Sequence, residues 1–135
     1  MGHMSREDMD AVLAAHVKAE AAHDMAGILA TLTEDAVHEL AGVPGGRLQG
    51  HQAIGERYAQ AFVDFDGGEM EPVHRTHGDD YLIDESLWHA RHAASGRPIV
   101  VRLLHVCEFR ERRISKEIVW MDVAALAAQL GAPAP

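Results

Sequence analysis

The longest hydrophobic stretches of the chain lie near its carboxyl end, on both sides of a short charged turn. Residues 99–109 are apolar at most positions, and the segment ISKEIVWMD follows them after the charged residues RERR. Two such segments around a turn predict a β-hairpin. The first segment is apolar on both faces except at Arg102, His105 and Glu108. We therefore expect protein on both sides of this sheet.

Upstream of the hairpin the hydrophobic pattern changes to helical spacing. Ser5 and Asp8 occupy the positions of a capping box, and the apolar residues that follow recur at helical intervals. This pattern predicts a first helix from Ser5 onward. A second, shorter helix is predicted over residues 25–36, after Asp24, and a third over residues 51–63.

The remaining segments predict strands and loops. Residues 36–40 alternate and predict a strand, the glycine-rich residues 42–50 predict a loop, and FDGG at 65–68 ends the third helix. Further strands are expected at 70–76 and 81–93, and Asp122 caps a last short helix closed by Gly131. The order predicts an α+β fold. Three N-terminal helices pack on a curved, mostly antiparallel sheet that forms a cone-shaped barrel around a pocket, followed by a short C-terminal helix.

The register of the hairpin decides which side chains face that pocket. If the turn centres on Glu111 and Arg112, His105 lies opposite Ile118 and Leu103 lies opposite Trp120. The pocket face then carries Val101, Leu103, His105, Cys107, Phe109, Ile118, Trp120 and Asp122. The outer face carries Arg102, Leu104, Val106, Glu108, Glu117, Val119 and Met121. For residues 81–93 we favour the register that turns Leu82, Asp84, Ser86, Trp88 and His92 inward.

Composition and charge narrow the class of protein. The formal net charge is −9 and 47% of the 135 residues are hydrophobic, which disfavours binding to nucleic acid or to an anionic membrane surface. No apolar segment is long enough to span a bilayer, and Cys107 is the only cysteine. We expect one cytoplasmic domain over residues 5–131, preceded by a tag-like remnant at 1–4 and followed by a loose tail at 132–135.

Three segments of the chain resemble a known superfamily: HDMAGILATLTEDAVHEL, RLQGHQAIGERYAQAF and LLHVCEFRERRISKEIVWMD. They are similar to the nuclear transport factor 2-like fold, and within it to SnoaL-like polyketide cyclases and ketosteroid isomerases. The resemblance covers nearly the whole chain. It implies a conical cavity between helices and sheet, and dimers formed through the outer face of the sheet.

The resemblance also assigns positions to candidate site residues. The three chemical groups of ketosteroid isomerases, a tyrosine and two aspartates, fall here on His16, Leu40 and His105. A supporting tyrosine of the third helix falls on Tyr58, and an aromatic residue of the last strand falls on Trp120. All three chemical positions differ, so the resemblance implies a different reaction from ordinary steroid isomerisation.

We predict a cofactor-independent enzyme that transfers protons on a small apolar carbonyl compound, by isomerisation, aldol-type cyclisation or dehydration. His105 would stabilise an enolate or shuttle a proton, with His16 held by Tyr58, or Asp84, as its acid/base partner. His38 is a further catalytic candidate.

The expected pocket wall comprises Trp120, Trp88, Leu103, Phe62 and Leu40. Two alternatives stay open: a non-catalytic small-molecule-binding or dimeric accessory domain, and a metal site built from His16, His38 and His105. No cofactor and no resident metal is part of the first hypothesis. A homodimer would bury Leu104, Val106, Val119 and Met121 on the outer face.

Overall fold

The helices begin where their capping residues predict. The computed structural model describes residues 2–131, and in it the Ser5 side chain accepts a hydrogen bond from the Asp8 backbone N–H at the start of α1, Arg6–Ala21. Asp24 caps α2, Met25–Ala30, in the same way through Gly27. Helix α3 follows at His51–Asp64. The predicted tail, residues 132–135, lies outside the described residues.

Six strands form one sheet in the order β2-β1-β6-β5-β4-β3. They are β1 Leu32–Leu40, β2 Arg47–Gln49, β3 Phe65–Gly78, β4 Tyr81–His92, β5 Pro98–Arg110 and β6 Arg113–Met121. All neighbours are antiparallel except β1 and β6. Asp122 caps α4, Val123–Gln129, as predicted. The α+β fold, with helices packed on a curved sheet that does not close, is confirmed.

The boundary between α2 and β1 was predicted wrongly. The second helix ends at Ala30, whereas the prediction extended it through residue 36, and β1 begins at Leu32. Leu32 lies opposite Ile114 of β6 and is 1% exposed. Pairing with a buried neighbouring strand therefore outweighs the helical pattern of this segment.

Two further segments that were predicted as irregular form strands. The predicted loop at 42–50 contains β2. FDGG ends the third helix as predicted, but β3 starts at Phe65, within that segment, and not at residue 70. Gly67 and Gly68 have φ values of +84° and +109°, and the pairing of β3 with β4 shifts between Gly67 and Glu69. The glycines thus accommodate a bulge inside the strand and do not end it.

A bulge also changes the register of the hairpin. The turn lies at Glu111 and Arg112, as predicted, and both residues have positive φ. Phe109 pairs with Ile114 as expected, but the register then shifts so that Glu108 pairs with Lys116. The extra residue on β6 is Ser115.

Beyond this bulge every side chain of β6 points to the opposite face from the prediction. His105 lies opposite Val119, and Leu103 lies opposite Met121. Glu117 and Val119 are buried at 2% and 6% exposure, whereas Trp120 is 55% exposed. The predicted place of Trp120 in the pocket wall is therefore wrong, and so is the predicted place of Glu117 on the outer face, where Arg102 pairs with Glu85.

The buried hydrophobic residues form two clusters. One lies between the helices and the strands beneath them, and its helical members include Met9, Leu13, Ile28 and Ile54. The other contains Ile99, Val101, Leu103 and Val119, against which α4 packs. No helix within residues 2–131 is long and apolar enough to cross a membrane. The cytoplasmic location stays a prediction.

Candidate active site

A cavity of about 360 Å³ lies between α3, α4 and the inner face of the sheet. We call it the main cavity. Much of its wall is apolar and includes Leu40, Phe62, Phe65, Met70, Trp88, Leu103, Val119 and Met121. Its ionisable side chains belong to Glu20, His23, His38, Arg57, Tyr58, His105 and Glu117. The volume lies in the lower part of the range of small-molecule sites, so the main cavity fits a small ligand.

His105 and Glu117 face each other on adjacent strands of the cavity wall. Nε2 of His105 lies 3.6 Å from Oε1 of Glu117, and both side chains are at most 5% exposed. Within residues 2–131, Nδ1 of His105 has no hydrogen-bond partner. A buried polar atom without a partner costs about 1–3 kcal/mol. An unpaired buried nitrogen is unusual in a native structure, and a catalytic role is one physical explanation for it.

His38 is held in a single protonation form by Arg57. Nη1 of Arg57 donates to Nδ1 of His38 at 2.9 Å and also approaches the His38 carbonyl oxygen. Because a guanidinium only donates, Nδ1 must accept, and the ring proton of neutral His38 lies on Nε2. Burial lowers the pKa of His38 below its usual value of 6.5, so the ring is neutral near pH 7.

His16 lies directly behind the cavity wall and is completely buried. Its Nδ1 lies 2.7 Å from the Thr31 hydroxyl, and that hydroxyl donates its own proton to the Ile28 carbonyl. Thr31 therefore accepts from His16 Nδ1–H. On the other side of the ring, Nε2 lies 2.7 Å from Glu20 Oε1 and 3.2 Å from Glu117 Oε2.

These two carboxylates determine the charge of His16. Burial alone would lower its pKa, but Glu117 and Glu20 raise it to about 10. In turn, burial would raise the pKa of Glu117, and the His16 imidazolium instead holds it far below its usual value. The predicted contact with Tyr58 is present, since its hydroxyl lies 3.2 Å from His16 Nε2. Burial, together with Glu117 and Glu20, raises the pKa of Tyr58.

Asp84 faces inward, as expected, but it does not reach the main cavity. It lines a second cavity of about 480 Å³ between α1 and the strands β3 and β4. Nε of Arg75 donates to Asp84 at 2.8 Å, and Nη1 of Arg75 donates to Asp10. The carboxylate is thus engaged in an ion-pair network with Arg75 and Asp10, although Asp84 is the direct cross-strand neighbour of His105.

The structure brings several of the predicted residues together in one cavity. His38, His105 and Tyr58 line the main cavity together with Leu40, Phe62, Trp88 and Leu103. His16 touches this group from behind, whereas Asp84 and Trp120 lie elsewhere.

Four ionisable residues of the main cavity were missed: Glu20, His23, Arg57 and Glu117. Glu20 lies four residues after His16 on one helix, a spacing that brings two side chains together and could have identified it. Glu117 carried no such signal, because the bulge at Ser115 determines its direction.

Comparison with known proteins places these features in a family context. A family model described as a SnoaL-like domain matches residues 13–117. No curated protein matches the chain significantly.

Several solved structures share the fold at low sequence identity. A Catenulispora acidiphila protein with a ketosteroid isomerase-like fold, solved with trimethylamine, is 14% identical with a TM-score of 0.81, covering 90% of this chain and 93% of that one. A protein assigned as a polyketide cyclase from Xanthomonas campestris is 18% identical with a TM-score of 0.83, covering 93% and 98%. An LEH-like epoxide hydrolase of M. tuberculosis is 17% identical with a TM-score of 0.77, covering 92% of this chain and 90% of that one. At these identities the likeness establishes the fold.

Proposed function

The chain belongs to the SnoaL-like domain family, and from this premise we propose that it is an enzyme that moves protons on a small, mostly apolar carbonyl compound. The reaction is isomerisation, aldol-type cyclisation or dehydration, and the compound binds in the main cavity. The observation that supports this best is the pair His38 and His105 on the wall of one largely apolar cavity. Each histidine has a different partner, and this gives each a different chemical role.

His38 donates a hydrogen bond to the developing oxyanion. Arg57 occupies Nδ1, so Nε2–H is the donor that remains for a ligand. A buried neutral imidazole keeps its proton and acts as a hydrogen-bond donor. This hydrogen bond stabilises the negative charge on an enolate oxygen. Arg57 contributes its own positive charge to the same side of the cavity.

His105 takes and returns the proton. As a base it removes a proton from the carbon next to the carbonyl, and the electron pair moves onto the carbonyl oxygen near His38. As an acid it then returns that proton to a second carbon in an isomerisation, or to a departing hydroxyl in a dehydration. Glu117 Oε1 at 3.6 Å faces the ring and stabilises the imidazolium that forms, once ligand binding shortens the contact.

The apolar wall favours this chemistry by excluding water. Trp88, Leu103, Phe62 and Leu40 surround the two histidines, and a dry cavity strengthens the hydrogen bond to the oxyanion. The aldol-type alternative also agrees with the polyketide cyclase assignment of a protein that shares the fold.

The direct test is His105→Ala in a proton-exchange assay that needs no knowledge of the natural substrate. Cyclic enones and β-diketones in D₂O serve as probes, and loss of their α-proton signals is followed by NMR. We expect the variant to slow exchange by roughly 10²- to 10⁴-fold, the usual contribution of a general acid/base. His105→Gln tests a replacement of similar size, and circular dichroism verifies folding of both variants.

The matched control is His89→Ala, because His89 is exposed and pairs with Glu71 across the strands, outside the main cavity. This variant should exchange at the wild-type rate. A folded His105→Ala protein that is as fast as wild type would reject the assignment. If no probe exchanges while ligands still bind, the protein is instead a small-molecule-binding domain.

The same proposal includes a homodimer formed through the outer face of the sheet. The register found for β6 changes the residues of that face: Leu104 and Trp120 are cross-strand neighbours and are 36% and 55% exposed, whereas Val119 and Met121 face the cavity. The outer face therefore still presents exposed apolar side chains, but from different residues than those predicted.

A further inference from the structure

We propose that His16, Glu20 and Glu117 bind a divalent transition-metal ion directly behind the main cavity. One ligand atom from each residue lies within 4.8 Å of the others. His16 and Glu20 lie one helical turn apart on α1, and Glu117 reaches them from β6. This set differs from the three histidines that the sequence indicated, of which only His16 belongs to it.

The environment of His16 matches that of a metal-bound histidine. Thr31 accepts from Nδ1–H because its own hydroxyl proton is used by the Ile28 carbonyl. This arrangement fixes the ring and directs Nε2 at the two carboxylates. A histidine that binds metal typically donates its other ring N–H to a fixed acceptor in this way.

A proton alone does not satisfy the three groups. Nε2 of His16 carries one hydrogen, and the nearer carboxylate oxygen, Oε1 of Glu20, is its natural acceptor at 2.7 Å. Oε2 of Glu117 lies 3.2 Å from the same nitrogen yet has no hydrogen-bond partner within residues 2–131. A metal ion bound by all three atoms would also give Oε2 of Glu117 a partner.

The charge of the three groups also favours a divalent ion. One imidazolium facing two carboxylates leaves an excess negative charge in a buried position, which is costly. A divalent ion with neutral His16 makes the set neutral. One imidazole nitrogen and two carboxylate oxygens form a donor set that suits Zn²⁺. Glu20 and Glu117 also line the main cavity, so the ion has a route from solvent.

The inference goes beyond the proposed function without replacing any part of it. A metal on Oε2 of Glu117 leaves Oε1 facing His105, and neither His38 nor His105 becomes a ligand. The ion would hold the Glu117 carboxylate in the orientation that the His105 ring meets. Metal binding is therefore measurable on its own, whether or not the protein turns over any probe.

The test is a calorimetric titration of chelator-treated protein with ZnCl₂, supported by elemental analysis after desalting. We expect one Zn²⁺ per chain in the wild type. Glu20→Gln, which removes a ligand whose side chain is 18% exposed, should abolish stoichiometric binding. Thr31→Val removes only the acceptor behind His16 and should weaken binding by about 10- to 100-fold, the usual effect of a lost outer partner.

Two variants control for other histidines. His3→Ala removes the exposed histidine near the amino end, which pairs with Asp80, and Glu71→Gln removes the carboxylate of an exposed His–Glu pair. Both should bind Zn²⁺ as the wild type does. The inference is overturned if the wild type binds no stoichiometric Zn²⁺, or if Glu20→Gln binds it unchanged. Neither result would alter the expected effect of His105→Ala on proton exchange.

Discussion

At the scale of single residues, Arg57 decides which nitrogen of His38 carries the ring proton. It donates to Nδ1 at 2.9 Å, so only the Nε2–H form is compatible with the pair. Arg57→Met keeps the aliphatic part of the side chain and removes the donor. We expect the His38 ring to lose its single form, and ¹⁵N NMR of the imidazole nitrogens should then report both neutral tautomers.

The same change should slow proton exchange by roughly 10-fold, a modest effect for a residue that acts through another. Arg47→Met is the control, because Arg47 is exposed and its guanidinium lies 3.6 Å from the Glu39 carboxylate. It should leave both the spectrum and the exchange rate unchanged. A single Nε2–H tautomer in Arg57→Met would show that something other than the guanidinium fixes the ring.

At the scale of elements, α4 closes one side of the main cavity and depends on its cap. The Asp122 side chain accepts from the Ala125 backbone N–H, and Val123 and Leu126 then reach the cavity wall. Because an N-cap contributes about 0.5–2 kcal/mol, Asp122→Ala should lower the free energy of unfolding in urea by about 1 kcal/mol. Asp122→Asn keeps a capping oxygen and should stay within a few tenths of the wild type. Equal loss in both variants would mean that the charge, not the cap, matters.

Some helix starts and turns that build the site could be predicted from the sequence. Three helix starts could be predicted from their N-cap residues, Ser5, Asp24 and Asp122. An N-cap is a local hydrogen bond made by a short polar side chain, so residue type indicates it. The turn at Glu111 and Arg112 was likewise predictable from the charged residues between two apolar segments. Such features depend on residues a few positions apart.

The bulge at Ser115 has no comparable local signal, and it reverses every later side chain of β6. A buried Glu117 and an exposed Trp120 are the opposite of what residue type alone suggests. The carboxylate is tolerated inside because His16 and His105 lie next to it, and these residues come from α1 and β5. Long-range pairing of this kind had to be read from the structure.

At the scale of the whole molecule, the outer face of the sheet predicts a dimer. Leu104 and Trp120 lie side by side and exposed, and exposed apolar patches of this kind mark association sites. The wild type should have the mass of two chains by light scattering at micromolar concentration. Trp120→Glu places a charge at the centre of the patch and should yield a monomer, because burying an unpaired carboxylate is costly.

The main cavity lies on the other face of the sheet, so Trp120→Glu should keep the ligand-binding and proton-exchange properties of the wild type. Val63→Glu is the matched control, since Val63 is 69% exposed on α3, away from the outer face, and should remain dimeric. A wild-type protein with the mass of one chain would contradict the dimer. Two copies packed through this face would bring the two introduced carboxylates together. A Trp120→Glu protein that is still dimeric would therefore show that the dimer interface lies on another surface.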